Sequence, residues 1–233
     1  PRLRRQRQMC IRDRCYAAVT IQALKGKRVV VFGHDSMGME TALPHIAATR
    51  NQFGIEITRM DMKFLADLLA KESYDKQELK RLREWLMQGA AGIEIPEASD
   101  SENLDKSLAL YLIVRDLMKE LNAVGGGFMS QLEWGSDARG IPLPVADIME
   151  SLFNSTFDHN GPKEVIPYAT EADVQALLTQ LFMTWLSGGN PPLFMDFRKV
   201  WEPSEIKEFA ASKGIALGGN TPWAVSYTHL RAH

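Results

Sequence analysis

The segment from Asn154 to Trp201 constrains this chain most. It reads N-S-T-F-D-H-N-G, then V-I-P-Y-A-T-E-A-D, then a helical stretch, then P-P-L-F-M-D-F-R-K-V-W. Glu171 and Asp196 each end an apolar run with the look of a buried strand, and Ala172 to Leu186 between them is amphipathic. Strand, helix, strand predicts a parallel crossover, with both strand ends on one edge of a sheet. Ligands of open α/β folds bind at that carboxyl edge. Two carboxylates there would make a hard-cation site or an acid/base pair. The competing assignment is helix capping, a role Asp173 can share with Glu171.

The rest of the chain agrees with an α/β fold: a Rossmann-like, open and mostly parallel sheet flanked by helices, with the start of a second, C-terminal domain. Lys27–Gly33 is a β-branched run ending in glycine, and Gly54–Met60 alternates like a strand. Met62–Lys71 and Asp75–Gln88 have helical spacing, with Asp75 placed to cap the second. Glu102–Leu121 is a long helix with Leu108, Leu112, Ile113 and Leu117 on its apolar face. Ala123–Phe128 holds three consecutive glycines, which predicts close approach of backbone to something else. Pro142–Asn154 reads as a helix with Ile148, Met149, Leu152 and Phe153 inward, and Glu205–Lys213 as a last one. Gly33–Gly38 is a small-residue turn expected to open a helix. It lacks both G-x-G-x-x-G and G-K-[ST], so no nucleotide fingerprint is met.

The two ends stand apart. Arg4–Arg14 and Val225–His233 back-translate to the two sides of a transposase sequencing adapter. Residues 1–14 and 225–233 are therefore read as not native. The native part becomes an internal fragment, with a middle α/β domain over 15–170 and the opening of a C-terminal catalytic domain over 171–224. The whole chain has 27 Lys and Arg and 29 Asp and Glu. Without its ends it keeps 20 basic and 28 acidic residues, a net charge of −8. Such an acidic chain has no electrostatic footprint for nucleic acid. Its two cysteines, Cys10 and Cys15, give no disulfide framework. No apolar run reaches the ~18 residues of a membrane span. The expected location is the cytoplasm. His34, His45 and His159 lack zinc-site spacing, and Trp134, Trp185 and Trp201 read as core or interface residues.

Three of the quoted segments also carry a family resemblance. N-S-T-F-D-H-N-G, A-T-E-A-D and F-M-D-F-R-K-V-W resemble, in order and spacing, the N-S-S-F-D-W-N-G, T-E-N-D and F-A-D-V-R-x-Y-W motifs of the L-fucose isomerase family. Gly33–Met39, Ile57–Leu79 and Gly127–Trp134 resemble further segments of it, so the likeness runs from Gly26 to about Ala211. The resemblance implies a metal-dependent aldose–ketose isomerase acting on a deoxyhexose or pentose through an ene-diol. Glu171 and Asp196 would then be ligands of Mn²⁺ and the acid/base pair, with Gln131 and Met37 at substrate-pocket positions. It further implies a monosaccharide substrate and a homo-oligomer with sites shared between subunits. The family's third ligand, a histidine near the far C-terminus, and its first domain fall outside this chain. His159 in place of the motif's Trp, Met129-Ser130 in place of Gln-Gly, and a shorter loop after Gln88 depart from the family and bear on which sugar is used. The alternatives are a non-catalytic sugar-binding α/β module, needing no metal, and a nucleotide-binding regulator using Gly33–Gly38.

Overall fold

The computed structural model describes residues 2–34, 38–90, 98–129, 145–192, 197–200, 202–212, 214 and 224–226. The chain divides into two compact units after Pro192. In the first unit, β1 (Arg28–Phe32), β2 (Glu56–Met60), β3 (Ala123–Phe128) and β6 (Tyr168–Ala169) form a parallel sheet in the order β2-β1-β3-β6. From β1 the chain moves outward to β2, then returns across β1 to start β3 on its other side. Strand order therefore reverses between β1 and β3, the arrangement in which doubly wound sheets open a crevice at their carboxyl ends.

Helices connect the strands, as parallel pairing requires. They are α1 (Arg2–Leu24), α2 (Ile46–Phe53), α3 (Met62–Ala70), α4 (Lys76–Gly89), α5 (Ala98–Glu120), α6 (Val145–Asn154) and α7 (Val174–Leu186). α3, α4 and α6 pack on α5, and α5 and α7 both pack on β3. Phe53 of α2 meets Phe182 of α7 edge to face, with ring centroids 5.0 Å apart. Val29, Val30, Val31 and Phe32 are fully buried, as a strand covered on both faces demands. In α5 the inward residues Leu108, Leu112 and Ile113 are buried as their spacing predicts, and Leu117 packs partly buried against the same core. Asp75 caps α4, accepting from the amides of Gln77 and Glu78.

One expectation needs correcting. The turn after Gly33 does not open a helix directly: a short 3-10 turn at Glu40–Ala42 intervenes, and α2 starts at Ile46. His45 caps it, its Nδ1 accepting from the Ala48 amide at 3.1 Å. The second strand of the predicted crossover, the apolar run L-F-M-D ending at Asp196, lies outside the described residues. β7 (Phe197–Val200), which follows it, belongs to the second unit and pairs antiparallel with β8 (Ala224–Ser226), part of which was read as adapter. The second unit also holds α8 (Pro203–Ser212), the expected last helix. At the other end, α1 runs through the residues read as adapter. Cys10 to Val19 are all exposed, and Thr20 and Leu24 are buried.

A buried glutamate on a strained turn at the carboxyl edge

Phe32, Met60 and Phe128 lie side by side where β1, β2 and β3 end, and Ala169 at the end of β6 pairs with Gly127. The main chain stays tied just beyond them: the Gly33 amide donates to Met60 O and the Met129 amide to Phe32 O. Gly33 has φ +97°, and a Cβ there would come 2.6 Å from that of Met129, so this exit from β1 requires glycine. His34 and Asp61 follow on the same edge, 3.7 Å apart and largely exposed.

β6 leads straight into a 3-10 turn, Thr170–Ala172, that carries Glu171. Glu171 and Ala172 both have left-handed backbones, with φ +55° and +56°. Two consecutive non-glycine residues in that region cost on the order of 1–3 kcal/mol each, so their surroundings must hold them there. The glycine triplet of β3 does part of this. A Cβ on Gly126 would lie 2.8 Å from the Tyr168 ring, and one on Gly127 would lie 3.1 Å from Ala172 Cα. The triplet thus lets β6 and its turn press against β3, the close approach that the sequence announced. Glu171 is 9% exposed.

The capping alternative resolves at this turn. Asp173, not Glu171, is the N-cap of α7 and accepts from the Ala176 amide at 2.9 Å. Glu171 is left to the strand edge, one residue before buried Ala172. Sequence reasoning missed two further residues. Glu150 of α6 is fully buried, and its Oε2 accepts from Thr170 Oγ1 at 2.7 Å. Asn154 clips β6: its Nδ2 donates to Tyr168 O and its Oδ1 accepts from the Tyr168 amide. The available signal for Glu150 was an acidic residue inside the apolar run I-M-E-S-L-F.

Asp196, Gln131 and Met37 lie outside the described residues, as do Trp134 and Trp201. Among the described residues no group of three His, Cys, Asp or Glu comes together to hold a metal ion. Glu171 is a buried carboxylate, a hard oxygen donor of the type that suits Mg²⁺ or Mn²⁺.

A sequence model described as L-fucose isomerase, second N-terminal domain, matches residues 27–188. This chain belongs to the L-fucose isomerase family. The match takes in the whole parallel sheet and the Glu171 turn. An L-fucose isomerase of Clostridium perfringens (strain 13 / Type A) is 27% identical over 219 residues, which cover 82% of this chain and 36% of that protein. Those of Salmonella choleraesuis (strain SC-B67) and Salmonella typhimurium (strain LT2) are 27% identical over 226 residues, covering 87% of this chain and 37% of theirs. The chain spans a little over a third of the length of these curated relatives.

N-S-T-F-D-H-N-G forms the end of α6 and a small hairpin, β4 (Phe157–Asp158) with β5 (Gly161–Pro162). It lies between the end of α6 and the start of β6, hence toward the edge where strands begin. There His159, its side chain 1% exposed, sits 3.0 Å from Glu78 Oε1 through Nε2. Arg115 of α5 grips both Glu78 oxygens, with Nη2 at 2.9 Å, and Asn160 Nδ2 adds a third donor. The Arg115 guanidinium, helped by Asn160 and His159, holds the Glu78 carboxyl down at about 2. Tyr111 donates to Asp158 at 3.2 Å, and burial raises its phenol well above the ordinary value. Lys163 donates to Phe153 O and Ser155 O, while burial lowers its ammonium to about 8. In this motif the polar residues build structure, and His159 has a structural role. No helix among the described residues is long and apolar enough to cross a membrane.

Proposed function

We propose that this chain is part of an aldose–ketose isomerase acting on a deoxyhexose or pentose, in the manner of L-fucose to L-fuculose. The observation that supports it best is Glu171. A buried carboxylate, relieved of helix capping by Asp173, is held in a left-handed turn at the carboxyl edge of a family member's parallel sheet. Glu171 and Asp196 are the proposed protein ligands of a divalent cation, Mn²⁺, completed by groups beyond this chain. When bound, the cation supplies Lewis-acid stabilisation of negative charge on O1 and O2 of the sugar. The same two carboxylates move the proton. One would take it from C2 of the aldose while the other protonates O1, giving the ene-diol, and the first would then return its proton to C1 as the second takes the proton of O2, giving the ketose. Low exposure at Glu171 suits this role, since it keeps bulk water from the proton in transit.

The finer assignments follow the family. Gln131 and Met37 contact the monosaccharide, and the subunits form a homo-oligomer with shared sites in the cytoplasm. The chain by itself should lack turnover. The test is isomerisation of L-fucose and D-arabinose by the full-length protein, with and without Mn²⁺ after chelation. Metal-dependent turnover supports the reading. Sugar binding that needs no metal, with no turnover on any aldose, replaces it with a sugar-binding module.

A further inference from the structure

We propose that Glu150 is the positioning residue for Glu171, acting through the hydroxyl of Thr170. The inference rests on the reading of Glu171 as a metal ligand.

Glu150 lies in α6 beside Met149, Leu152 and Phe153, all buried in the core. A carboxylate in such surroundings is unfavourable unless it is hydrogen-bonded, and a leucine or methionine would fill the place without that penalty. What Glu150 provides is an acceptor for Thr170 Oγ1 at 2.7 Å. Thr170 is the residue directly before Glu171 and the first of the strained turn. One helical turn further along α6, Asn154 holds the main chain of Tyr168 on both sides, donating at 2.8 Å and accepting at 3.1 Å. Residues four apart lie on one helix face, so α6 grips the incoming strand at 168 and at 170 from one face. β3 closes the other side, where Gly127 admits Ala172. Glu171 sits between these two supports. The residues on either side of it are both held, Thr170 by Glu150 and Ala172 by its packing near Gly127. The direction in which its carboxylate leaves the turn therefore depends on the Glu150–Thr170 bond. Outer partners of this kind orient the groups that bind a metal.

The experiment uses the full-length protein. Thr170→Val removes the donor while keeping the side-chain shape, Thr170→Ser keeps the hydroxyl, and Glu150→Gln weakens the acceptor. Three readouts are compared: Mn²⁺ affinity by titration, kcat and KM at saturating Mn²⁺, and amide hydrogen exchange over residues 169–174. The expected result is an affinity loss of about 10- to 100-fold for Thr170→Val, faster exchange in the turn, and a lowered kcat with KM little changed. Thr170→Ser should stay near wild type. The double variant should be no worse than its worse single, because both substitutions cut one bond. Wild-type affinity and exchange in Thr170→Val, or additive losses in the double variant, would overturn the proposal. If Glu150→Gln fails to fold, the Val and Ser variants at Thr170 still decide. If the wild-type protein binds no Mn²⁺, the ligand reading falls separately. The exchange readout then stands alone: faster turn exchange in Thr170→Val with Thr170→Ser unchanged supports the clamp, and no difference rejects it.

Discussion

The two ends of the parallel sheet solve different problems. Toward the edge where strands begin, Glu78, Arg115, His159 and Asn160 form a closed set of charges and hydrogen bonds. Each polar side chain there compensates the burial of another. At the carboxyl edge the burden is backbone strain, two left-handed residues in succession, and what compensates it is close packing on glycine and a buried hydrogen bond. A carboxylate clamped by arginine is committed to its partner and has little left to offer a ligand. The Glu171 carboxylate is instead placed through its neighbours' backbone. The comparison therefore predicts a separation. Changes at the first end should alter stability and leave chemistry alone, and changes at the second should alter chemistry.

The largest stability effect should come from Arg115→Met. Glu78 and Arg115 are only 15% and 23% exposed, and removing one partner of such a pair should cost about 3 kcal/mol in denaturant unfolding. Turnover by the full-length protein should persist, and its loss would break the separation. The same pair sets the acid limb. Because the folded carboxyl is depressed from 4.5 to about 2, its contribution is complete above pH 4.5 and is lost as pH falls through 2. Arg115→Met should flatten that slope in a pH series of melting temperatures.

Gly127→Val should cost about 2 kcal/mol by pushing the β6 turn off β3. Unlike Arg115→Met, it should also weaken Mn²⁺ binding, since it displaces the residue next to Glu171. Equal stability loss with wild-type Mn²⁺ affinity would show that the turn and the ligand are independent. The smallest effect belongs to Asp75→Ala, which removes the cap of α4 and touches the first end only through the Glu78 amide. Unfolding should register about 1 kcal/mol, with metal affinity unchanged.

How far the sequence could be read follows from the range of the forces involved. Strands β1 and β2 and helices α3, α4, α5 and α7 carry their own periodicity and caps, so their positions were visible within a few residues. The glycine triplet announced a close approach, though not that Tyr168 and Ala172 would be what approached. The pairing of β7 with β8 was not legible, because pairing is a long-range choice that a local apolar run does not encode. His45 took over the start of α2 from the glycine turn through a capping bond that a preference for Ser, Asp or Asn does not suggest. Glu171 was singled out from its place at a strand end, but its left-handed backbone and the buried Glu150 behind it depend on tertiary packing. The motif around His159 drew attention as a family signature, and its physical role proved to be burial against Glu78.

The central claim is that Glu171 binds a metal needed for isomerisation. The most direct measurement is Mn²⁺ titration of the chelated full-length protein, with L-fucose turnover followed in parallel, for wild type, Glu171→Gln and Asp196→Asn. The account predicts Mn²⁺-dependent turnover in the wild type, and in each variant a collapse of both affinity and turnover without loss of the folded state. Wild-type Mn²⁺ affinity and turnover in a folded Glu171→Gln protein would contradict it.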